Sequence, residues 1–207
     1  MSRSIVALSA FAVVSLAGVA SATPVIYTSQ ASFNAAVTAP GVDTFNDMPL
    51  ASAPSPLNRL AGSYGYTGAV TTTTFFTAGT ASDVWLSTNT ATDSIVFNNF
   101  GPSVSAVGGF FFTSDINGSA AAGSITVSIV DASGTYSQTI NSSTPLSFLG
   151  FVSDSNISSV TVTSVQPSPT AFIWPTVNDL TLAQAVPAPG AAALMGLGGL
   201  LVGRRRR

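Results

Sequence analysis

Four residue types are missing from this chain: cysteine, histidine, lysine and glutamate. Without cysteine the fold gains no disulfide even in an oxidising compartment, so its stability rests on packing or on a bound ion. Without histidine, cysteine or lysine there is no Ser-His-Asp triad, no thiolate nucleophile, no Schiff-base lysine and no His/Cys zinc site. Aspartate pairs survive this pruning, because two carboxylates can divide the acid and nucleophile roles of glycoside hydrolysis. The expectation is a protein that is not an enzyme and holds no cofactor beyond a structural calcium, with an aspartate-based glycan hydrolase as the alternative.

Charge is scarce too, at 7% of residues. The acidic groups are Asp43, Asp47, Asp83, Asp93, Asp115, Asp131, Asp154 and Asp179, and from residue 23 to residue 185 the basic group set against them is Arg59. Eight aspartates against one arginine leave that body at −7. Such a charge repels phosphate backbones, which excludes nucleic acid as a partner. The solvent face must then be covered by Ser, Thr, Asn and Gln, which are uncharged but rich in hydrogen-bonding groups.

What is present at the two ends is organised in blocks. Residues 1–22 open with Arg3, continue through the apolar Ile5 to Val19 and finish at Ala20-Ser21-Ala22, the small-x-small site of a secretory signal peptide cut by signal peptidase after Ala22. Residues 186–207 carry Val186-Pro187-Ala188-Pro189, then the apolar Ala191 to Gly203, then Arg204, Arg205, Arg206 and Arg207. The apolar block is shorter than the ~20 residues of a stable helical span. Its arginines nonetheless set an orientation, tail in the membrane and body outside.

A Pro-x-Pro motif, a short Leu/Gly/Ala segment and a terminal arginine cluster, in that order, resemble the PEP-CTERM sorting signal of bacterial envelope proteins. The resemblance covers about the last twenty residues, and Ala188 stands where the family has Glu. It implies recognition and cutting by an exosortase, with release of the body to the cell surface or an extracellular polysaccharide matrix. A permanent tail anchor is the other reading of the same segment.

Between the ends, residues 23–185 suffice for one domain with a continuous core. Thr23 to Tyr27 reads as a strand and Ser29 to Val37 as a short helix capped by Ser29 and ended by Gly41. The remainder is β in character, with runs of Val, Ile, Thr and Phe between Gly, Pro, Asn, Asp and Ser clusters. Expected strands are Ala69 to Thr77, Asp83 to Ser87, Ser94 to Phe100, Val107 to Thr113, Ser124 to Val130, Thr135 to Ile140, Leu146 to Val152, Ser159 to Val165 and Val177 to Ala183. In the hairpin Ser124 to Ile140, Ile125, Val127 and Ile129 alternate with Thr126 and Ser128, which buries one face and wets the other. Phe110, Phe111 and Phe112 in succession point to a strand covered on both faces. Trp85 and Trp174 read as core or edge fillers rather than ligand platforms, and Ala51 to Leu60 as an irregular connection. The fold class is all-β, an antiparallel β-sandwich of jelly-roll type with one short helix, and a barrel is the alternative.

The segments Val42-Asp43-Thr44-Phe45-Asn46-Asp47 and Val177-Asn178-Asp179-Leu180 resemble the early and late elements of carbohydrate-binding jelly-roll modules, where an acidic residue and an Asn-Asp pair flank a structural calcium. That resemblance implies Asn46, Asp47 and Asp179 as calcium ligands, hard oxygens suited to a hard cation. Here Asp replaces the family's early Glu. Turn and strand-end roles account for the same residues without a metal. The functional expectation is an exported surface or matrix protein that binds polysaccharide through its Ser/Thr/Asn-rich face or loops.

Overall fold

A computed structural model describes residues 23–101 and 103–186. The predicted signal peptide with Ala20 and Ala22, and the sorting segment from Pro187 through Arg207, lie outside them. Among the described residues fifteen strands, numbered in chain order, form two antiparallel sheets facing one core. The first sheet runs β1 (Val25–Tyr27), β13 (Phe148–Val152), β9 (Ala106–Ser114), β15 (Trp174–Ala185), β7 (Asp83–Thr88), β6 (Phe75–Thr80) and β3 (Ser52–Ala53). Two further strands join it, β2 (Val37–Asp43) on β15 and β10 (Ala120–Ala121) on β9. The second sheet runs β12 (Gly134–Ser143), β11 (Gly123–Asp131), β14 (Ser159–Val165), β8 (Ile95–Asn98), β5 (Tyr64–Val70) and β4 (Leu57–Ala61). From β7 onward the chain crosses between sheets at most connections, which gives the sandwich its jelly-roll-like character.

Alternation of side chains decides which face each strand buries. Ile125, Val127 and Ile129 of β11 are fully buried, as are Val160 and Val162 on the neighbouring β14. Their outward neighbours Thr126 and Ser128 reach across to Thr139 and Ser137, each with hydroxyls 2.8 Å apart. On β9, Phe111 enters the common core, while Phe112 turns to the opposite face and meets the Trp85 ring edge-on at 4.9 Å. Phe110 packs there against Phe148, at 5.6 Å. The strand is covered on both sides, as its three consecutive phenylalanines demand.

The helix α1 (Gln30–Ala36) supplies part of that outer cover, inserting Phe33 among Val37, Ala106, Phe148 and Ala183. Gly150 is required beneath it, since a Cβ there would lie 2.4 Å from the Phe33 ring. Among the described residues no helix is long and apolar enough to cross a membrane.

Three local expectations need correction. The helix ends at Ala36, and Gly41 belongs instead to β2, where its missing side chain lets β2 pass against β4: a Cβ would stand 2.1 Å from the Ala61 carbonyl oxygen. The stretch Ala51 to Leu60 contains β3 and most of β4 rather than an irregular crossing, because its prolines fall between the paired residues. The run Ala69 to Thr77 is not one strand. It breaks at Thr71 to Thr73, where Asp93 gathers the three threonine hydroxyls and the Thr73 N–H. Propensity favours continuing the strand, but four hydrogen bonds to one carboxylate hold the bend.

Candidate functional site

Arg59 of β4 is the hub of the body's charge. Its Nε donates to Asp43 Oδ2 at 2.7 Å and its Nη2 to Asp43 Oδ1 at 2.7 Å, a two-point pairing across the two sheets. Nη2 also reaches Asp47 Oδ1 at 2.6 Å, and the guanidinium lies 5.4 Å from the Phe45 ring centre. The Tyr66 hydroxyl donates to Asp43 Oδ2 at 2.6 Å. Burial, reinforced by the Asp43 charge, pushes the Tyr66 phenol well above its ordinary value, so it stays a donor. The hydrogen bonds that Arg59 donates to Asp43 hold the guanidinium charged, and the bond it donates to Asp47 lowers that carboxyl. Phe45 sits at φ 59, a left-handed conformation costing a bulky residue about 1–3 kcal/mol, and its N–H donates to Asp43 Oδ1.

This network decides what Asp47 can do. The carboxylate expected to face calcium is engaged by the arginine. Asn46 is occupied differently: its Oδ1 accepts the Val84 N–H at 2.7 Å, which fixes the loop to the start of β7. Asp179 lies where β15 changes partner. Thr176 and Val177 pair with β7, whereas Leu180 to Ala185 pair with β2, and a register shift separates Asn178 from Thr181 on the β9 side. Asp179 takes φ 50 at this bulge, a conformation that Asp tolerates better than most residues.

Asn178 closes the seam by donating to Asp83 Oδ1 at 2.9 Å, and the Trp85 indole donates to Asp83 Oδ2. Burial raises the Asp179 carboxyl above its usual value, and the Asp83 charge raises it further. The early and late segments therefore do converge, around the first residues of β7. Asn46, Asp83 and Asp179 meet near that point, while Asp47 turns to Arg59. Among the described residues no group of three or more acidic side chains is arranged to hold a metal ion.

A different feature stands out on the surface. Phe76 on β6, Trp174 at the start of β15 and Ile116 in the β9–β10 loop border one depression, and Phe172 with Trp174 borders a second of about 460 Å³. Trp174 and Asn89 line both, so the two depressions share a wall and adjoin in one grooved region at an end of the first sheet. The chain matches no known family model, no curated protein and no solved structure. The groove must therefore be read from its own chemistry.

Phe172 is 50% exposed, Phe76 40% and Ile116 74%. Between them lie the Asn89 amide and the hydroxyl-bearing Thr90 and Thr92. Among the described residues Asp115 is the one carboxylate lining either half, and its Oδ1 already accepts the N–H groups of Asn117 and Ser119. Apolar ring faces beside neutral hydrogen-bonding groups suit an uncharged, amphipathic ligand. The sequence pattern reads Trp174 as a core or edge filler. It is half-buried, yet it also floors the groove, and the signal in the sequence was its position two residues after Phe172 behind a Pro-rich loop.

Proposed function

We propose that this chain is a non-catalytic protein of the bacterial cell surface or extracellular matrix whose sandwich holds neutral polysaccharide in the groove around Trp174. The observation that carries the reading is that groove: exposed Phe76, Ile116 and Phe172, the shared Trp174 and Asn89, and an almost uncharged lining. Pyranose rings present apolar C–H faces to aromatic side chains and hydroxyls to amides and threonines, so both kinds of lining group are used. A body at −7 disfavours anionic polymers, which narrows the ligand to uncharged glycans.

Export through the predicted leader, cleavage after Ala22 and sorting through Pro187 to Arg207 by an exosortase-type enzyme would deliver the groove to such a matrix. A glycan hydrolase needs two carboxylates facing one cleft. The groove offers Asp115, already tied to its own turn, which favours binding over catalysis. Calcium, if held, falls to Asp179 with Asp83 beside it, because Asp47 pairs with Arg59 and Asn46 with Val84. A melting temperature unchanged between calcium and chelator removes that ion from the proposal.

The binding test is affinity electrophoresis of the purified protein through gels containing neutral or anionic polysaccharides, with Trp174→Ala and Phe172→Ser alongside. Retardation in a neutral gel that both substitutions abolish is the expected result. Unretarded migration in every neutral gel would refute the binding reading.

A further inference from the structure

Sheet edges expose unpaired backbone donors and acceptors, and natural sandwiches blunt them with short strands, charge, proline or bulges. Most edges here are blunted. β1 has three residues and β3 two, β2 carries Pro40 and a left-handed Ala39, and β4 carries the paired Arg59. The edge strand β12 has none of these devices along Thr135 to Ile140. Its ten residues hold no charge and no proline, and among the described residues it pairs with β11 alone. Its irregularity comes only at the far end, where Ser142 takes φ 50.

The hairpin geometry shows which groups are open. Asp131 pairs with Gly134 across a two-residue turn, so hydrogen-bonded pairs fall at Tyr136 and Gln138, and Thr135, Ser137 and Thr139 turn their N–H and C=O away from β11. Two observations agree. The closer, non-hydrogen-bonded pairs bring side chains together, as in Ser128 with Ser137 and Thr126 with Thr139 at 2.8 Å. The Thr139 carbonyl accepts a side-chain bond from Gln138, as an outward-facing group can.

We propose that β12 docks a second copy of this chain, pairing antiparallel with the same strand across a two-fold axis and joining two six-stranded sheets into one. Antiparallel self-pairing suits a two-fold contact, because the same residues face each other in both copies. Charge selects this edge. Two acidic bodies repel, and β12 is an uncharged strip that places no like charges opposite one another. Six extended residues give about 20 Å of ladder. Beside the strand, Leu146 stands 84% exposed in a groove shared with Gln138 and Ile140, which adds apolar contact to the paired backbone.

The test is sedimentation equilibrium on the purified protein, across a concentration series and at low and high salt. The wild type is expected to be a dimer that tightens with salt, as screening weakens repulsion between the bodies. Ser137→Lys and Ser137→Pro act on an outward residue and should weaken dimerisation at least about tenfold, or ~1.4 kcal/mol. Circular dichroism melts confirm that each variant stays folded. Thr161→Lys, on the same sheet face but on the interior strand β14, adds the same charge and should leave the dimer intact. A monomeric wild type would overturn the proposal, as would a dimer that survives both Ser137 substitutions or one that Thr161→Lys dissociates.

Discussion

Replacing Arg59 by methionine would leave Asp43, 4% exposed, with its charge and no cation. The aliphatic stem is conserved in volume, so the perturbation is chiefly electrostatic. Removing one partner of a buried pair costs about 3–5 kcal/mol, because the remaining ion keeps its desolvation penalty and loses its compensation. The Arg59 side chain retains 15% of its exposure, which places the expected loss near the lower end, about 3 kcal/mol. For a domain of this size each kcal/mol shifts the melting temperature by about 2–4 °C, so the drop should be about 6–12 °C. Urea unfolding should show a lower midpoint with unchanged slope.

Two comparisons sharpen the result. Asp47→Ala removes an exposed partner and should cost less than about 1 kcal/mol. The combination Arg59→Met, Asp43→Leu and Tyr66→Phe turns the network apolar and should recover most of the loss, since buried pairs are often replaceable by well-packed hydrophobes. If Arg59→Met costs no more than Asp47→Ala, the cluster behaves as a surface salt bridge and the reasoning fails.

Other outcomes follow from the same structure. Asp93 and Asp131 are buried, which alone would raise them. The hydrogen bonds from Thr72, Thr73 and Thr71, and from Ser133, Ser153 and Gly134, more than offset burial and hold both carboxyls low. Folded values below the unfolded ~3.9 mean that their stabilisation is present above that pH and lost as pH falls through the folded values; Asp93→Asn should flatten this acid limb in a melting series. Asp179 has the opposite sign, its folded value raised, so its charge costs stability once pH exceeds that value. Asp179→Asn should therefore raise the melting temperature at pH 7 and give no gain below about pH 3.9. Gly41→Ala should destabilise severely or prevent folding, because backbone, not a flexible side chain, occupies the space. For targeting, intact mass of protein from its native cells should end near Val186 to Pro189 in the surface fraction; a mass retaining Arg207 in the membrane would show a permanent anchor instead.

The sandwich was legible wherever local pattern and burial agree. Ile125, Val127 and Ile129 announced both the strand and its buried face, and the consecutive phenylalanines of β9 announced a sheet covered twice. Legibility failed where a long-range contact overrides propensity. Nothing local in Thr71 to Thr74 says that Asp93, twenty residues later, will bend the run. Nothing around Gly41 says that β4 will cross against it.

The candidate site divides in the same way. Convergence of the early Asn46 segment with Asn178-Asp179 was implied by the resemblance to jelly-roll modules and not by any local pattern. The partner of Asp47 was not implied, although Arg59, the one arginine of residues 23–185 against eight aspartates, was a hint that one or two of them would be claimed. The groove escaped notice because its walls come from β6, β7, β9, β15 and three loops, which become neighbours only through sheet order.

The most direct measurement uses the two tryptophans. In a Trp85→Phe variant the emission reports Trp174 alone, and it should shift and saturate on titration with a neutral polysaccharide and stay unchanged with an anionic one. Emission from Trp174 that no neutral glycan alters, in protein that remains folded, would contradict the account.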